Sequence, residues 1–303
     1  MYDQSYNRIR NKVTEVIDLF DHKKSFGFGD KSDIIRVGAT GGLLHGKPII
    51  CGGAKYNTLS GGKYGTLQDM YSADSSLYDS EYMIHQRAYS ASVILNINQF
   101  TTNLWVTGGI DRCEVGQKTT EFVIIRDALT EKTFQPVQQL DSIEGPDLPF
   151  TICQHGIVKI KENAIYIIGG RQNGNISSDV WIVDPTNNYS VTQGPSLKTS
   201  RYEFSCGTME VDGRTMIVVA GGYTKPKTFL DTVEILDPLL SEGGGGKANI
   251  SWSFGPKLPY RMVGTSMVTA PGGKGVIVIG GLVNYYDEKE GTLLLFVYYI
   301  NSQ

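Results

Sequence analysis

The chain has 303 residues, 40% apolar, 10% aromatic and 19% charged, with a formal net charge of −3. That apolar share sustains a packed core and excludes a disordered chain. The near-balanced charge excludes a surface that holds nucleic acid by net charge, and no apolar run reaches the roughly 20 residues that cross a bilayer.

In chain order, residues 1–10 contain no apolar stretch of the kind a signal peptide carries. Residues 11–30 read as two short strands, Glu15-Val16-Ile17-Asp18 and Ser25-Phe26-Gly27-Phe28-Gly29. They match Glu234-Ile235-Leu236-Asp237 and Trp252-Ser253-Phe254-Gly255, the last two strands of a later unit. They are therefore expected to be a c–d pair without its own a and b.

Units follow at 31–86, 87–149, 150–200, 201–259 and 260–303. The unit 201–259 is the clearest. Arg201 to Val211 reads as strand a, Asp212-Gly213 as a two-residue hairpin turn, and Thr215 to Ala220 as an apolar strand b buried on both faces. Thr232 to Pro238 is strand c, Ile250 to Phe254 is strand d, and Gly255-Pro256-Lys257-Leu258-Pro259 turns into the next unit. The same plan gives strand a at Arg87 to Val93 and at 261–270, and strand c at Asp69 to Ser72, Glu121 to Ile125, Asp179 to Pro185 and 292–300. Glu242-Gly243-Gly244-Gly245-Gly246-Lys247 is a flexible insertion in one c–d loop.

Every strand b ends in Gly-Gly: Gly52-Gly53, Gly108-Gly109, Gly169-Gly170, Gly221-Gly222 and Gly280-Gly281, at steps of 56, 61, 52 and 59 residues. A period on that scale is one supersecondary unit repeated. Glycine at that point implies φ > 0 or another backbone close by. Four-stranded antiparallel units repeated in this way are expected to be blades of an all-β propeller.

The apolar strand ending in Gly-Gly, the c strand, the aromatic near strand d and the Gly-Pro-x-Leu-Pro turn resemble kelch repeats. The chain also resembles the invertebrate kelch-like proteins built almost wholly of propeller, without a BTB domain. The resemblance implies one propeller domain over 1–303. Six incompletely closed blades are favoured over five, because the first unit lacks a and b and the last lacks d.

Chemistry is sparse. The four histidines, His22, His45, His85 and His155, form no metal-ligand spacing. No G-x-S-x-G elbow or phosphate loop occurs. Neither a catalytic group nor a metal or other cofactor is expected. His155, in a channel-lining strand, is the one candidate base for the alternative, a channel enzyme of the epimerase, lyase or oxidase kind found among kelch propellers.

A basic pattern is more informative. The resemblance implies that d–a and b–c loops open on one face, where Arg87, Arg201 and Arg261 at strand starts would meet Lys55, Arg112, Arg171 and Tyr223 on b–c loops. Guanidinium forks take carboxylates bidentately. The expectation is a non-catalytic, protein-binding propeller that holds an acidic segment at this mouth, with the tyrosine-rich stretch 54–86 as a second surface. Trp105, Trp181 and Trp252 are expected to pack between blades.

Sequons at Asn175, Asn188 and Asn249 would carry N-glycans if the chain is exported. The resemblance favours export and the missing apolar leader favours the opposite. Cys51, Cys113, Cys153 and Cys206 show no C-x-x-C spacing, and their disulfide state is open.

Overall fold

The apolar runs ending in Gly-Gly each form the second strand of an antiparallel sheet. These features come from a computed structural model that describes residues 14–17, 25–28, 36–57, 63–66, 70–72, 82–98, 101–111, 116–129, 136–225, 228–238, 250–284, 292–293 and 297–301. The chain divides into two compact units, Met1–Val115 with Thr120–Gly145, and Gly116–Thr119 with Pro146–Gln303.

In the first unit, Thr14–Ile17 pairs with Ser25–Phe28 as a hairpin. The first blade pairs Thr40–Leu44, Lys47–Cys51 and Met70–Ser72, so the weak third strand does form. The second blade has four strands, Ala91–Asn98, Thr101–Thr107, Thr120–Leu129 and Pro136–Glu144. Leu44, Ile49, Met70, Met83, Leu104, Val106, Val123 and Leu140 fill the core that these two blades share.

In the second unit, the third blade is Gly156–Lys161, Ala164–Ile168, Val180–Asp184 and Ser190–Gln193. The fourth is Ser205–Val211, Arg214–Ala220, Val233–Leu236 and Ser253–Phe254. The fifth has Ser266–Thr269, Gly275–Ile279 and Val297–Asn301. Among the described residues there is no α-helix, and Pro185–Asn187 forms a 3-10 turn.

Strand Arg214–Ala220 explains why its sequence is apolar without alternation. Ile217 and Val219 pack with Val158, Tyr166 and Ile168 of the third blade, whereas Met216, Val218 and Ala220 pack with Val276 and Val278 of the fifth. Each face meets a different blade, so period-two alternation between core and solvent has no place. The Gly-Pro-x-Leu turns are equally specific. Gly194 and Gly255 donate N–H bonds to Val180 and Val233 of strand c at 2.8 and 2.9 Å. The leucines that follow, Leu148, Leu197 and Leu258, are buried.

The expected strand a needs correction. The runs beginning at Arg87, Arg201 and Arg261 are not continuous strands; sheet pairing starts at Ala91, Ser205 and Ser266. A left-handed residue stands at the same point in all five units, namely Gly38, Tyr89, Gln154, Glu203 and Gly264, at φ 66, 55, 55, 52 and 62°. The residues before the break turn away and pair with the hairpin that follows Gly-Gly. The pairs are Arg36 with Lys55, Cys153 with Arg171, Tyr202 with Tyr223, and Met262 with Val283.

Both glycines of all five pairs have positive φ, from 55 to 100°. Close approach adds a second reason for the residue type. A Cβ on Gly169 or Gly221 would lie 2.9 Å from the Arg201 carbonyl or 2.7 Å from the Met262 carbonyl of the next blade. Gly170 and Gly222 donate N–H bonds to those same two carbonyls, each at 2.8 Å.

Candidate functional site

Arg87 and Arg201 do not line a mouth. Each is 0% exposed and salt-bridged at 2.7 Å to a carboxylate on strand c of its own blade, Glu121 or Glu234, which is also 0% exposed. Arg201 also donates to the Gly221 and Thr232 carbonyls at 2.9 and 3.1 Å. Glu234 accepts the Lys198 and Thr199 N–H groups at 2.7 and 3.0 Å. Arg87 donates to the Gly108 carbonyl at 2.6 Å. Glu121 accepts the Ile84 N–H and the Ser142 hydroxyl at 2.8 and 2.6 Å.

Burial lowers both guanidinium pKa values, and the paired glutamates oppose the shift. The expectation that these arginines hold a partner's acid is therefore corrected. They do hold carboxylates, but the carboxylates belong to the chain itself. The buried pair ties the d–a turn, the first glycine of Gly-Gly and strand c together.

Of the other expected residues, Arg112 lies outside the described residues. Lys55 is described in its backbone only, opposite Arg36. Arg261 is half-buried and pairs with Asn284. In the stretch 54–86, Tyr78 lies outside the described residues and Tyr82 is 67% exposed.

Arg171 and Tyr223 do come together, through a residue that sequence reasoning left out. Arg171 sits on the short strand Arg171–Gln172, exposed, with its guanidinium carbon 5.9 Å from the Tyr202 ring centre. Tyr202 stacks on Tyr223 at 5.2 Å and 23°. Tyr223 meets Phe229 at 4.7 Å and 56°. The backbones of Tyr202 and Tyr223 exchange two hydrogen bonds, at 3.0 and 2.8 Å, which fixes the stack.

The guanidinium of Arg171 makes one long contact, to the Gly174 carbonyl at 3.4 Å. It forms no ion pair among the described residues. Lys225 and Thr228 lie exposed beside the rings. The result is a row of three aromatic rings ending in an available cation. Tyr202 and Phe229 were missed because neither sits in a motif. The signal that could have found Tyr202 is its place beside the strand-start arginine, opposite the b–c loop.

Glu203 follows Tyr202 directly. Its N–H donates to the Gln154 carbonyl at 3.2 Å, and its own carbonyl accepts from Gly264 N–H at 2.9 Å. Left-handed residues of successive blades are thus linked through their backbones. The Gln154 amide donates to the Glu203 carboxylate. Burial raises the Glu203 pKa, while the Gln154 bond and the charge of Arg171 oppose the rise.

His155, the candidate base, is buried, and desolvation lowers its pKa to about 3. Cys153 and Cys206 are free thiols, pushed up to about 11 and about 12 by burial. Among the described residues no three His, Cys, Asp or Glu side chains gather as a metal site. No helix there is long and apolar enough to cross a membrane. Trp105 and Trp252 are buried, Trp105 stacked on Phe122 of its own blade at 6.4 Å. Trp181 is half-buried, tilted against Phe150 at 5.0 Å. Asn175 and Asn188 are exposed, whereas Asn249 lies outside the described residues.

Comparisons with known proteins bear on the fold. Residues 160–192, covering strands b to d of the third blade, match the model of the kelch motif. The fold is similar to the solved structure of YjhT, with a TM-score of 0.64 over 92% of this chain and 85% of that one, at 12% identity. No curated protein matches the sequence. The fold is that of a kelch-repeat β-propeller.

Proposed function

We propose that this kelch-repeat chain is a non-catalytic, protein-binding propeller. Its contact surface is the row Arg171–Tyr202–Tyr223–Phe229, and its partner presents an acidic segment. One observation carries the reading. Arg87 and Arg201 are buried and committed to Glu121 and Glu234, whereas Arg171 is exposed and has no carboxylate partner among the described residues.

An uncompensated guanidinium held over aromatic rings is suited to take a carboxylate in a fork while the rings take apolar contact. Lys225, exposed on the same hairpin as Tyr223, adds charge of the same sign. The competing reading, a channel enzyme, needs a base that exchanges protons near neutral pH. His155, held neutral by burial down to about pH 3, is poorly suited to that work.

Affinity purification on immobilised full chain, with Arg171→Ala and Tyr223→Ala chains in parallel, tests the reading. The expected result is a partner retained at low salt, weakened by 0.5 M salt and lost with either variant. A partner held equally by all three chains would sink this surface.

A further inference from the structure

The same row of residues has an acid built in beside it. Glu203 follows Tyr202, over whose ring Arg171 lies, and its carboxylate is held by the Gln154 amide. The charges of Arg171 and Glu203 act on each other, yet the two side chains make no ion pair within 4.0 Å. The guanidinium therefore carries no carboxylate, only the long bond to the Gly174 carbonyl, while its field is partly cancelled.

We propose that Glu203 is the specificity-determining residue of this surface: its fixed negative charge sets how acidic a segment must be to bind at Arg171, and neutralising it tightens binding of carboxylates. This inference rests on the reading of Arg171 as the anion-binding group.

The surroundings make Glu203 suited to that role. The groups facing it are Arg171 on the third-blade hairpin, the Cys153 thiol and Gln154 amide leading into that blade, and the Tyr202 hydroxyl beside it in sequence. Arg171 is the only cation among them. The backbone bonds to Gln154 and Gly264 fix the main chain at Glu203, and the Gln154 amide holds its carboxylate.

Its pKa is raised by burial, so protonation, which removes the repulsion without any substitution, comes at a higher pH than for an ordinary glutamate. A single charge about 6 Å from a bound carboxylate, in the roughly 40–80 effective dielectric of a water-exposed site, is worth about three- to tenfold in affinity. The effect fades as salt shortens the Debye length.

The test uses a fluorescein-labelled hexaglutamate peptide, read by anisotropy against the full chain at low salt. Glu203→Gln is expected to bind about three- to tenfold tighter than the unmodified chain at pH 8, and Arg171→Met to lose binding. The unmodified chain is expected to gain affinity as pH falls from 8 and Glu203 takes up its proton, while Glu203→Gln stays flat. Glu203→Gln binding no tighter, with Arg171→Met still inactive, overturns the role of Glu203 and leaves the surface standing. Undiminished binding by Arg171→Met overturns the surface itself. Should Glu203→Gln melt early, the pH series on the unmodified chain decides: a flat series overturns the proposal.

Discussion

The third and fourth blades fill the same internal position with opposite chemistry. In the fourth, Arg201 reaches Glu234, which lies across the ladder from Val219, two residues before Gly221. In the third, the matching residue of strand c is Trp181, across from Ile167, and the residue matching Arg201 is Ile152. Phe150 packs on Trp181 at 5.0 Å, at the place where the Thr199 N–H reaches Glu234 in the fourth blade. In the second to fifth blades charge appears or vanishes in pairs. A lone member would be a buried ion without a partner, the costliest arrangement available.

The largest expected effect breaks one pair. Arg201→Ala or Glu234→Ala should lower unfolding free energy by about 3–5 kcal/mol, because each strands a charge at zero exposure. Ile152→Arg in the third blade should cost as much, since no carboxylate stands across from it. Urea unfolding would show both. Equal tolerance of Arg at 152 and 201 would defeat the comparison. The double variant Arg201→Met with Glu234→Tyr copies the fifth blade, where Met262 and Tyr298 hold these positions. It should recover more than half of the single-variant loss, though not all. The Lys198 and Thr199 N–H groups lose their acceptor.

Next in size is the Gly-Gly contact. Gly221→Ala should cost roughly 3 kcal/mol or more, from backbone strain at φ 69° plus a clash with the Met262 carbonyl. Gly174→Ala, at φ 83° with nothing within 4 Å of the added atom, should cost about 1–2 kcal/mol. Equal losses in thermal melts would mean that blade-to-blade approach has no part in selecting glycine.

A third comparison separates the blades by pH. His155 stands where the fourth blade has Phe204, each three residues after the position compared above. With its pKa lowered from 6.5 to about 3, the folded state binds the proton more weakly than the unfolded state. Its contribution is complete above pH 6.5 and is lost as pH falls from there towards 3, at up to about 1.4 kcal/mol per pH unit. Unfolding midpoints measured from pH 7 to 4 should fall less steeply for His155→Phe than for the unmodified chain. Parallel slopes would show that His155 is not the titrating group.

Strand b and Gly-Gly were legible because their causes are local: two-sided burial demands an unbroken apolar run, and positive φ demands glycine. The break before strand a was not. Three of its left-handed residues are Tyr89, Gln154 and Glu203, which tertiary hydrogen bonds hold in a conformation their side chains do not advertise. The burial of Arg87 and Arg201 was missed for the opposite reason, since arginine is almost always exposed. A usable signal existed in the lone glutamate inside each apolar c strand, Thr120-Glu121-Phe122-Val123 and Val233-Glu234-Ile235-Leu236. The binding row was half legible. Arg171 and Tyr223 follow Gly-Gly directly, but Tyr202 joins them only because the chain kinks at Glu203.

The two-sided strand Arg214–Ala220 has one further consequence. Odd and even positions along it are walls of different rooms, one shared with the third blade and one with the fifth. A one-residue slip would hand each neighbour the wall shaped for the other, and no local repacking could mend both at once. The strand therefore works as a keyed partition, and Arg201, clamped to the Gly221 carbonyl at its end, is the pin that keeps the key from turning.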